Sequence, residues 1–516
     1  MDIATALARL QGDEELKAWL SQQWTTREGT LAQRDQQLHA RDIKIQALTL
    51  ELAHLKRMRY GVRSEALSAE QRALFEDTYE EDGEAIAAQL EALAPAPPQA
   101  KRTPTGRKPL PPELPRIEHR HEPESCACAQ CGKDLVKIGE DISEQLDVEP
   151  ARFFVHRDIR PQYACRTCET ITAAAVPPAT IDGGLAAPGL HAWVLTQKYL
   201  DHLPLYRIEQ ISARQGVPLA RSTLAQWVGR LGVALQPLVD RVHERLKQHA
   251  VLHADETPVQ QLDPGSGRTK RAWLWVYRSN SLSHDPPIVV FDYQTSRGSE
   301  PPQHFLHDWR GHLMVDDYAG YKALLQREDV TELACLAHVR RKFYELQVNQ
   351  PHAAAQQALN FIAQLYAIEA SARDLPAQAR HALRQQEAKP ILQQWLKWLI
   401  EQRARTADHS GLGKAIDHAL KRWPALERYL DDGAFPIDNN AAEQAVRPIC
   451  LGKKNWLFTG SERAGQRAAA IQSLLATAKL NGLEPYAWLK DTLEKLPTWP
   501  NRRIDELLPL RVTKTA

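Results

Sequence analysis

The spacing of apolar residues near the N-terminus predicts a helix with two apolar seams. One apolar residue recurs every seven positions, at Leu31, Leu38, Ile45 and Leu52. Leu48 and Leu55 belong to the second seam, whereas Arg34 and Arg41 stand there in the earlier repeats. A short dimerising coiled coil that Gly61 ends explains this pattern, and the alternative is an amphipathic helix packed on its own domain.

Short apolar runs between residues 250 and 339 predict the strands of a sheet. The run Ala250, Val251, Leu252 suggests the end of a buried strand, and later runs are RAWLWVYR, PIVVFDYQ, GHLMVDDY and TELACLAHV. Several such strands beside helical segments predict a mixed sheet flanked by helices. From about Tyr344 to Asp432 the chain is rich in Ala, Gln, Leu and Arg at helical spacing, which predicts a helical insertion.

Two short helices are predicted between Pro204 and Leu231, joined across Gly216 and Pro218. Thr223 and Gln226 have the spacing of a capping box at the second helix. Apolar faces on both helices indicate a helix-turn-helix, with a plain helical hairpin as the alternative. In a helix-turn-helix, four polar or basic residues of the second helix would face DNA: Arg221, Ser222, Gln226 and Arg230.

Between about Gly83 and Pro123, prolines and a low apolar content predict a linker. Its basic residues could contact phosphate or simply be solvated: Lys101, Arg102, Arg107 and Lys108. Two CxxC pairs follow, at Cys128, Cys131, Cys165 and Cys168. Four thiolates suit a closed, structural zinc site, although Cys126 could replace Cys128, and reduced thiols without metal are the alternative.

Composition limits the classes of protein to consider. The 516 residues suffice for two to four domains, and 43% are hydrophobic and 25% charged. Apolar runs stay below the roughly 18 residues of a membrane span, and the acidic opening does not resemble a signal peptide, so we expect a cytoplasmic protein. With 65 basic and 64 acidic residues, binding to DNA would have to come from local patches.

Three acids that are far apart in sequence are candidates for a metal site. Asp255 lies in the HADET segment, Asp316 and Asp317 follow the run GHLMV, and Glu443 lies in NNAAEQAVRP. Carboxylates of this kind can bind two divalent cations. Glu443 and Arg447 would share a helix face, where a simple salt bridge is the alternative, and Pro448 would end that helix.

A basic and aromatic segment, LGKKNWLFTGSERAGQR, follows the third acid. Its members are Lys453, Lys454, Trp456, Phe458, Arg463 and Arg467. Such a mixture suits phosphates and an unstacked base, but core aromatics beside solvated charges would look the same. An amphipathic helix is predicted next, ending at Gly482.

Four blocks carry a close resemblance to a known family: HADETPV, VDDYAGY, CLAHVRRKF and IDNNAAEQAVRPICLGKKNWLFTGSERAG. They resemble the signature blocks of the IS66 family transposases, which are bacterial DDE enzymes. The resemblance implies a multidomain α+β fold with a ribonuclease-H-like α/β catalytic core and helical insertion, an N-terminal coiled coil, a small zinc-binding domain and a helix-turn-helix. The N-terminal seams, the CxxC pairs and the helical region before the core agree with this.

Carried over by position, the resemblance makes Asp255, Asp316 and Glu443 the catalytic, metal-binding acids. The family usually has glycine after its second acid, so Asp317 could share or replace the role of Asp316. Cys335 and His338 match a C-x-x-H string between the second and third acids, and we interpret them as packing or site support.

The activity implied is DNA strand cleavage and strand transfer at the ends of an insertion element, with two Mg²⁺ or Mn²⁺ ions. Arg447, Lys453 and Lys454 would hold the DNA backbone. Expected partners are the terminal inverted repeats, target DNA, a second or further copy of the chain and possible companion small proteins, with no membrane and with nucleoid association when bound. The alternatives are a sequence-specific DNA-binding regulator and a ribonuclease-H-like nuclease without strand transfer.

The expected division of the chain follows from these segments. It comprises an N-terminal helical region at 1–82, a linker at 83–123, a zinc-binding domain at 124–180, a helical DNA-binding region at 181–245, a catalytic domain at 246–485 with its insertion at about 345–432, and a C-terminal segment at 486–516.

Overall fold

The computed structural model describes residues 22, 26–27, 29–31, 33–35, 37–51, 80–89, 110, 112, 114–122, 136–149, 152–165, 167–263, 268–283, 285–349 and 352–511. Several predictions concern residues outside these ranges: Leu52, Leu55, Gly61, Lys101, Arg102, Arg107, Lys108, Cys126, Cys128 and Cys131.

Residues 37–51 are helical, and their two faces differ. Ile43 is buried, at 3% exposure, whereas Leu38, Ile45 and Leu48 are 55%, 59% and 58% exposed. Gln46, near the buried face, accepts a hydrogen bond from Arg463. One face therefore packs on the rest of the chain, and the face with seven-residue spacing remains open.

Residues 80–89 form a second helix, so the predicted start of the linker at Gly83 is wrong. Ala85 and Ile86 are buried in this helix, as are the charged residues Glu81 and Asp82. The helix packs on the rest of the chain through its apolar residues, and its two buried acids form ion pairs with Arg467. The short strand β1 (Arg116–Arg120) also lies inside the predicted linker.

The second CxxC pair lies in a loop between two strands of a four-stranded sheet. Strands β2 (Val136–Glu149) and β3 (Arg152–Ala164) form a long antiparallel hairpin, β1 lies parallel to β3, and β4 (Ile171–Ala173) pairs antiparallel with the end of β3. Leu146, Val148, Phe153 and Val155 are buried where this hairpin packs against the main core.

Four helices follow: α1 (Pro188–Tyr199), α2 (Leu205–Arg214), α3 (Arg221–Ala234) and α4 (Gln236–Leu246). Gly216, at φ 79°, makes the predicted turn between α2 and α3. The predicted capping box is wrong, because α3 begins at Arg221 and Thr223 lies within its first turn. The Glu209 carboxylate on α2 accepts the Arg221 N–H at 3.1 Å, so a tertiary contact caps α3.

A mixed five-stranded sheet forms the centre, in the order β7-β6-β5-β8-β9. The strands are β5 (Val251–Asp263), β6 (Arg268–Ser279), β7 (Val289–Gln294), β8 (Gly311–Val315) and β9 (Val330–Ala334), with helix α5 (Glu300–Phe305) before β8. Strands β5, β6 and β7 are antiparallel neighbours, whereas β8 and β9 run parallel to β5.

Two strand predictions need correction. Val251 begins β5 and does not end it, because β5 continues in antiparallel pairing with β6 as far as Asp263. The run TELACLAHV is a strand only through Ala334. Helix α6 (Leu336–Asn349) begins two residues later, and its Leu336, Val339 and Phe343 are buried at helical spacing. A short apolar run does not by itself distinguish these two structures.

Between β9 and residue 440 the described chain is helical and has its own core. The helices are α6, α7 (Ala353–Ser371), α8 (Ala377–Leu383), a π-helical turn (Arg384–Ala388), α9 (Lys389–Ala404) and α10 (Gly411–Glu427). Trp395 and Trp423 meet edge to face at 5.2 Å between ring centroids. Phe343 on α6 belongs to the same cluster of buried residues.

Three helices follow: α11 (Asn440–Trp456), α12 (Glu462–Leu480) and α13 (Pro485–Lys495). Helix α11 continues through Pro448, so the predicted end there is wrong. A proline inside a helix costs about 3 kcal/mol, and burial of Val446, Ile449 and Gly452 on either side opposes that cost. Helix α12 ends as predicted near Gly482, which has φ 66°.

Helix α12 covers the edge strand β7. Ser473 Oγ accepts the Phe291 N–H, and Thr477 Oγ1 accepts the Val289 N–H and donates to the Val289 carbonyl. These bonds satisfy backbone groups that an edge strand would otherwise leave open. In the described residues, the structure contains no helix with the length and apolar character needed to span a membrane.

Candidate functional site

Two of the predicted acids lie side by side because β5 and β8 are parallel neighbours. Their pairing matches Val251 with His312, Leu252 with Leu313 and His253 with Met314. Two residues beyond the last pair lie Asp255 on β5 and Asp316 directly after β8. Asp255 lies within its strand, because β5 continues beyond the point where β8 ends.

The third predicted acid, Glu443, is brought to these strands by the N-terminus of α11. The residue before this helix, Asn439, is 1% exposed. Its Nδ2 donates to the Ala254 carbonyl at 2.8 Å, and its Oδ1 lies 3.0 Å from His253 Nδ1. Asn439 thus ties the first turn of α11 to the residues that precede Asp255. Sequence reasoning missed this role, although the NN pair before the helix was a possible signal.

The electrostatics of Asp255 reflect this convergence. Burial is the largest cause that raises its pKa, to about 7, and the neighbouring Glu256 carboxylate is the next. The Glu256 N–H, which donates to Asp255 Oδ1 at 2.9 Å, partly opposes the increase. Asp316 and Glu443 also raise the pKa through their negative charges. The three acids therefore share one electrostatic environment.

Asp317 faces a different set of partners. Its Oδ1 lies 3.3 Å from Arg422 Nη1, and its Oδ2 lies 3.5 Å from Lys421 Nζ and 3.7 Å from His418 Nδ1, all on α10. Asp316 Oδ1 instead accepts the Tyr318 N–H. Arg422 also donates to the carbonyls of Val315 and Asp316. The helical region therefore engages Asp317 and secures the turn that presents Asp316.

The C-x-x-H pair lies beside the third acid. His338 Nε2 lies 3.7 Å from Glu443 Oε1, and Arg341 Nη2 lies 3.5 Å from Glu443 Oε2. Burial lowers the pKa of His338, whereas the charges of Asp316 and Glu443 oppose this. Cys335 Sγ accepts the Asn439 N–H at 3.1 Å. Both residues thus contact the site or the segment that positions it.

Glu443 Oε1 is buried and makes no hydrogen bond within the described chain. An unsatisfied buried carboxylate oxygen is costly unless a cation or donor reaches it. Among the described residues, however, no group of three or more His, Cys, Asp or Glu side chains is arranged closely enough to hold a metal ion. The acids converge without forming a coordination shell.

Replacing Asp255 with Asn should stabilise the protein at high pH when no divalent cation is added. Because folding raises the pKa of Asp255 from 3.8 to about 7, ionisation opposes folding increasingly between these pH values. The penalty reaches on the order of 4 kcal/mol and is constant above that range. Thermal unfolding midpoints of wild type and Asp255→Asn should coincide below pH 4 and diverge towards pH 7.

Asp308→Asn is the control for this experiment. Asp308 is exposed and its pKa is lowered, mainly by a hydrogen bond from Lys247. Its replacement should give no stabilisation at high pH. Equal midpoints for wild type and Asp255→Asn at every pH would contradict the raised pKa of Asp255.

The predicted DNA-facing residues of α3 do not all face outward. Ser222 and Gln226 are exposed and Arg221 is half-buried. Arg230 is also half-buried, and its Nε lies 3.0 Å from Glu84 Oε2 on the 80–89 helix. A Cβ at Gly229 would lie 2.3 Å from the Glu81 carbonyl oxygen, so the two backbones are in close contact. Arg230 is therefore paired with the 80–89 helix, with 36% of its side chain exposed.

The basic and aromatic segment after α11 separates into exposed and buried parts. Arg447 and Lys454 are exposed, and Lys453 Nζ donates to the Pro258 carbonyl at 3.2 Å. Phe458 is buried in a small cluster with Leu262, so it is a core residue and not a stacking platform. Glu443 contacts His338 and Arg341 on α6, so the alternative of a simple Glu443–Arg447 salt bridge is not what these contacts show.

Arg463 and Arg467, for which the sequence left phosphate contact and solvated charge as alternatives, face the N-terminal segments. Arg463 donates to Gln46 and Gln89. Arg467 is 8% exposed, and its Nη2 and Nη1 contact Glu81 at 2.7 Å and Asp82 at 3.1 Å. In this arrangement both arginines therefore contact the N-terminal segments rather than solvent.

The described part of the second CxxC pair forms a tight turn. Cys165 is buried directly after β3, and Cys168 is half-buried. The Glu169 N–H donates to the Cys165 carbonyl and the Cys165 N–H donates to the Thr170 carbonyl, both at 2.9 Å. Glu169 adopts φ 52°. This turn places two thiols on one short loop, as a zinc-binding knuckle requires.

Comparisons with protein families match nearly the whole chain. The family described as Transposase IS66 family matches residues 183–467. The zinc-finger binding domain of transposase IS66 matches residues 125–169, the IS66 C-terminal element matches 473–510, and the Transposase C of IS166 homeodomain matches 47–118.

Two relatives from Sinorhizobium fredii are similar over most of the chain. The uncharacterized protein y4qI is 38% identical over 482 residues, which cover 90% of this chain and 89% of that protein. The uncharacterized protein y4jD is 35% identical over 481 residues, which cover 90% of this chain and 94% of that protein.

Proposed function

This chain belongs to the IS66 transposase family, and on that premise we propose that it cleaves DNA strands at the ends of its insertion element and transfers them to target DNA. The observation that carries the proposal is the convergence of Asp255, Asp316 and Glu443. Asp255 and Asp316 lie two residues beyond the last pair of two neighbouring parallel strands, and Asn439 ties the helix turn that bears Glu443 to β5. These acids come from β5, the end of β8 and the first turn of α11. A DNA-binding regulator has no need for three converging acids of this kind.

We also propose that the central domain is a ribonuclease-H-like core interrupted by a helical insertion. The support is a mixed five-stranded sheet with acids on two adjacent strands, and a helical region with its own core between β9 and α11. Arg422 connects the two parts, since it contacts Glu332 of β9 at 2.6 Å and the turn at Asp317. The helical region would thus help to keep the acids in register.

Asp255, Asp316 and Glu443 would hold two Mg²⁺ or Mn²⁺ ions. Carboxylate oxygens are the ligands these ions prefer, and the unsatisfied Oε1 of Glu443 supports the fit. Since the side chains do not form a coordination group as they stand, binding requires them to reorient. When bound, such ions activate a water molecule and stabilise the leaving 3′ oxygen of a phosphodiester.

Side chains around the acids would handle a proton, position Glu443 and contact the DNA backbone. Asp255, with a pKa of about 7, carries a proton part of the time at neutral pH and would release it as positive charge enters the site. Arg341 and His338 would hold the Glu443 carboxylate, and Asn439 would orient the first turn of α11. Exposed residues on the same helix, Arg447 and Lys454, would contact the DNA backbone together with Lys453.

Recognition of the element ends is proposed for α3 and the zinc-binding segment. Gln226, with Arg221, would read or position DNA, and Arg230 would contribute only after its ion pair with Glu84 opens. Cys128, Cys131, Cys165 and Cys168 would hold a structural zinc ion. The turn at Cys165 and Cys168 supports this, as does the match to the zinc-finger binding domain.

We propose that two copies pair through the open seam of the N-terminal helix. Replacing Leu38 and Ile45, both exposed on that seam, with Glu should convert the dimer into monomers in sedimentation equilibrium, because apolar seam residues carry the pairing. His39→Glu on the same helix, exposed and away from the seam and the positions that flank it, is the control and should leave the mass unchanged. A wild-type protein that is monomeric at all concentrations would contradict the proposal.

The decisive experiment uses labelled DNA carrying the element end, Mg²⁺ and a target plasmid. A transposase joins the labelled strand to the plasmid. Cleavage without joining would favour the nuclease alternative, and binding that neither cleaves nor depends on Mg²⁺ would favour the DNA-binding regulator. Either of these outcomes would overturn the proposed strand transfer.

A further inference from the structure

Arg297, in the loop after β7, is held on three sides next to the acidic site. Its guanidinium lies 3.8 Å from the ring centroid of Tyr318 and 4.5 Å from that of Trp273. Its Nε and Nη2 both donate to Glu256 Oε1, at 3.1 and 2.7 Å. Two aromatic rings and a carboxylate thus fix the position and plane of one cation.

The carboxylate partner ties this arginine to the proposed catalytic strand. Glu256 directly follows Asp255, and its side chain is 2% exposed. Its other oxygen, Oε2, accepts a hydrogen bond from Tyr321 at 3.1 Å. Tyr318 directly follows the acidic pair at the end of β8, and its N–H donates to Asp316. Two of the three residues that hold Arg297 therefore lie within two positions of Asp255 and Asp316.

Arg297 is more exposed than a purely structural role requires. Its side chain is 43% exposed, although two aromatic rings and the Glu256 carboxylate contact its guanidinium. Its hydrogen bonds within the described residues use Nε and Nη2, so the Nη1 donors remain for a ligand. A guanidinium held in this way can donate hydrogen bonds to a phosphate with its plane already fixed. Little side-chain conformational entropy is therefore lost on binding.

We propose that Arg297 binds a phosphate of the DNA strand at the rim of the acidic site. This inference rests on the proposed function, because it places a DNA backbone beside Asp255 and Asp316. The acids would repel an approaching phosphodiester, and a fixed cation at their edge offsets that repulsion. Trp273 and Tyr318 keep the guanidinium aimed outward, while Glu256 holds its inner edge.

The test compares wild type with Arg297→Lys, which retains the charge but loses the planar fork. Binding is measured on duplexes carrying the element end, each with one phosphate replaced by a neutral methylphosphonate, with Ca²⁺ replacing Mg²⁺ to keep the DNA uncut. The variant should bind unmodified DNA on the order of tenfold more weakly. A methylphosphonate at one or two positions beside the cleaved bond should weaken binding by wild type. At those positions the same replacement should not weaken binding by Arg297→Lys any further.

A structural role would give a different pattern. If Arg297→Lys only disturbed folding around the site, its loss of affinity would add to the methylphosphonate loss at every position, and the proposal would be overturned. Arg310→Lys is the matched control, since Arg310 is 81% exposed at the opposite end of β8. It should leave all affinities unchanged.

A second variant and a cleavage assay complete the test. If Arg297→Lys fails to fold, Tyr318→Leu is used instead, because it removes one of the two rings that support Arg297. Binding by this variant should be insensitive to methylphosphonates at the same positions. Additive losses of affinity would again overturn the proposal. Cleavage of unmodified DNA by wild type in Mg²⁺ is measured in parallel. If the affinity losses depend on phosphate position as expected but wild type does not cleave DNA, only the proposed function is contradicted. If wild type cleaves DNA but the losses are additive at every position, only the role of Arg297 is contradicted.

Discussion

Alanine at Asp255 or at Glu443 should reduce strand cleavage by at least about 10³-fold, because each would remove a metal ligand that acts in the transition state. The two substitutions should not add, since loss of either acid disrupts the same pair of ions. The measurement is single-turnover cleavage of labelled end DNA in Mg²⁺. Asp316→Ala should behave in the same way.

The neighbouring acid provides a discriminating comparison. Asp317 contacts two cations on α10, Arg422 and Lys421. Asp317→Asn should therefore retain cleavage within roughly tenfold of wild type. Asp308→Asn, remote and exposed, should have no effect. Full cleavage by a folded Asp255→Ala protein would refute the proposed role of the acids.

Methionine at Arg467 should cost about 3–5 kcal/mol of folding free energy. The reason is that Glu81 and Asp82 would stay buried without their main counter-charge. Arg467 contacts both acids, while Lys198 lies 3.0 Å from Glu81 and Ser461 donates to Asp82. Urea unfolding and hydrogen exchange of residues 80–89 would measure whether the loss is global or a local release of this helix.

A compensating variant tests that reasoning. Combining Arg467→Met with Glu81→Gln and Asp82→Asn removes the buried charges together and should restore most of the lost stability. Arg310→Met, at an exposed position, should change stability by less than about 0.5 kcal/mol. If the triple variant is no more stable than Arg467→Met, unpaired charge is not the cause.

The contact between the 80–89 helix and α3 also bears on DNA recognition. The helix pairs Glu84 with Arg230 and packs its backbone against Gly229. A recognition helix in this arrangement presents Ser222 and Gln226 but withholds part of its surface. We expect full engagement of DNA by α3 to be coupled to movement of the N-terminal segment.

Much of the local structure could be predicted from the spacing of residue types. The helix pair around Gly216, the strand before Asp316 and the end of α12 at Gly482 depend on periodicity and glycine conformation within a few residues. The residues at which helices begin and end were harder to predict from the sequence. The continuation of α11 through Pro448 depends on burial beyond it, and the start of α3 depends on Glu209 from a different helix.

The sequence by itself determined the acids, the thiol pairs and the membership of the family, because these are patterns of residue type and spacing. Only the tertiary structure decided which charges meet. Asp316 lies two residues beyond the last β5–β8 pair, as Asp255 does, whereas Asp317 contacts cations of α10. Arg467 faces Glu81 and Asp82 and not solvent. The physical reason is that an ionic or hydrogen-bonding partner hundreds of residues away is chosen by packing, and local periodicity carries no information about that choice.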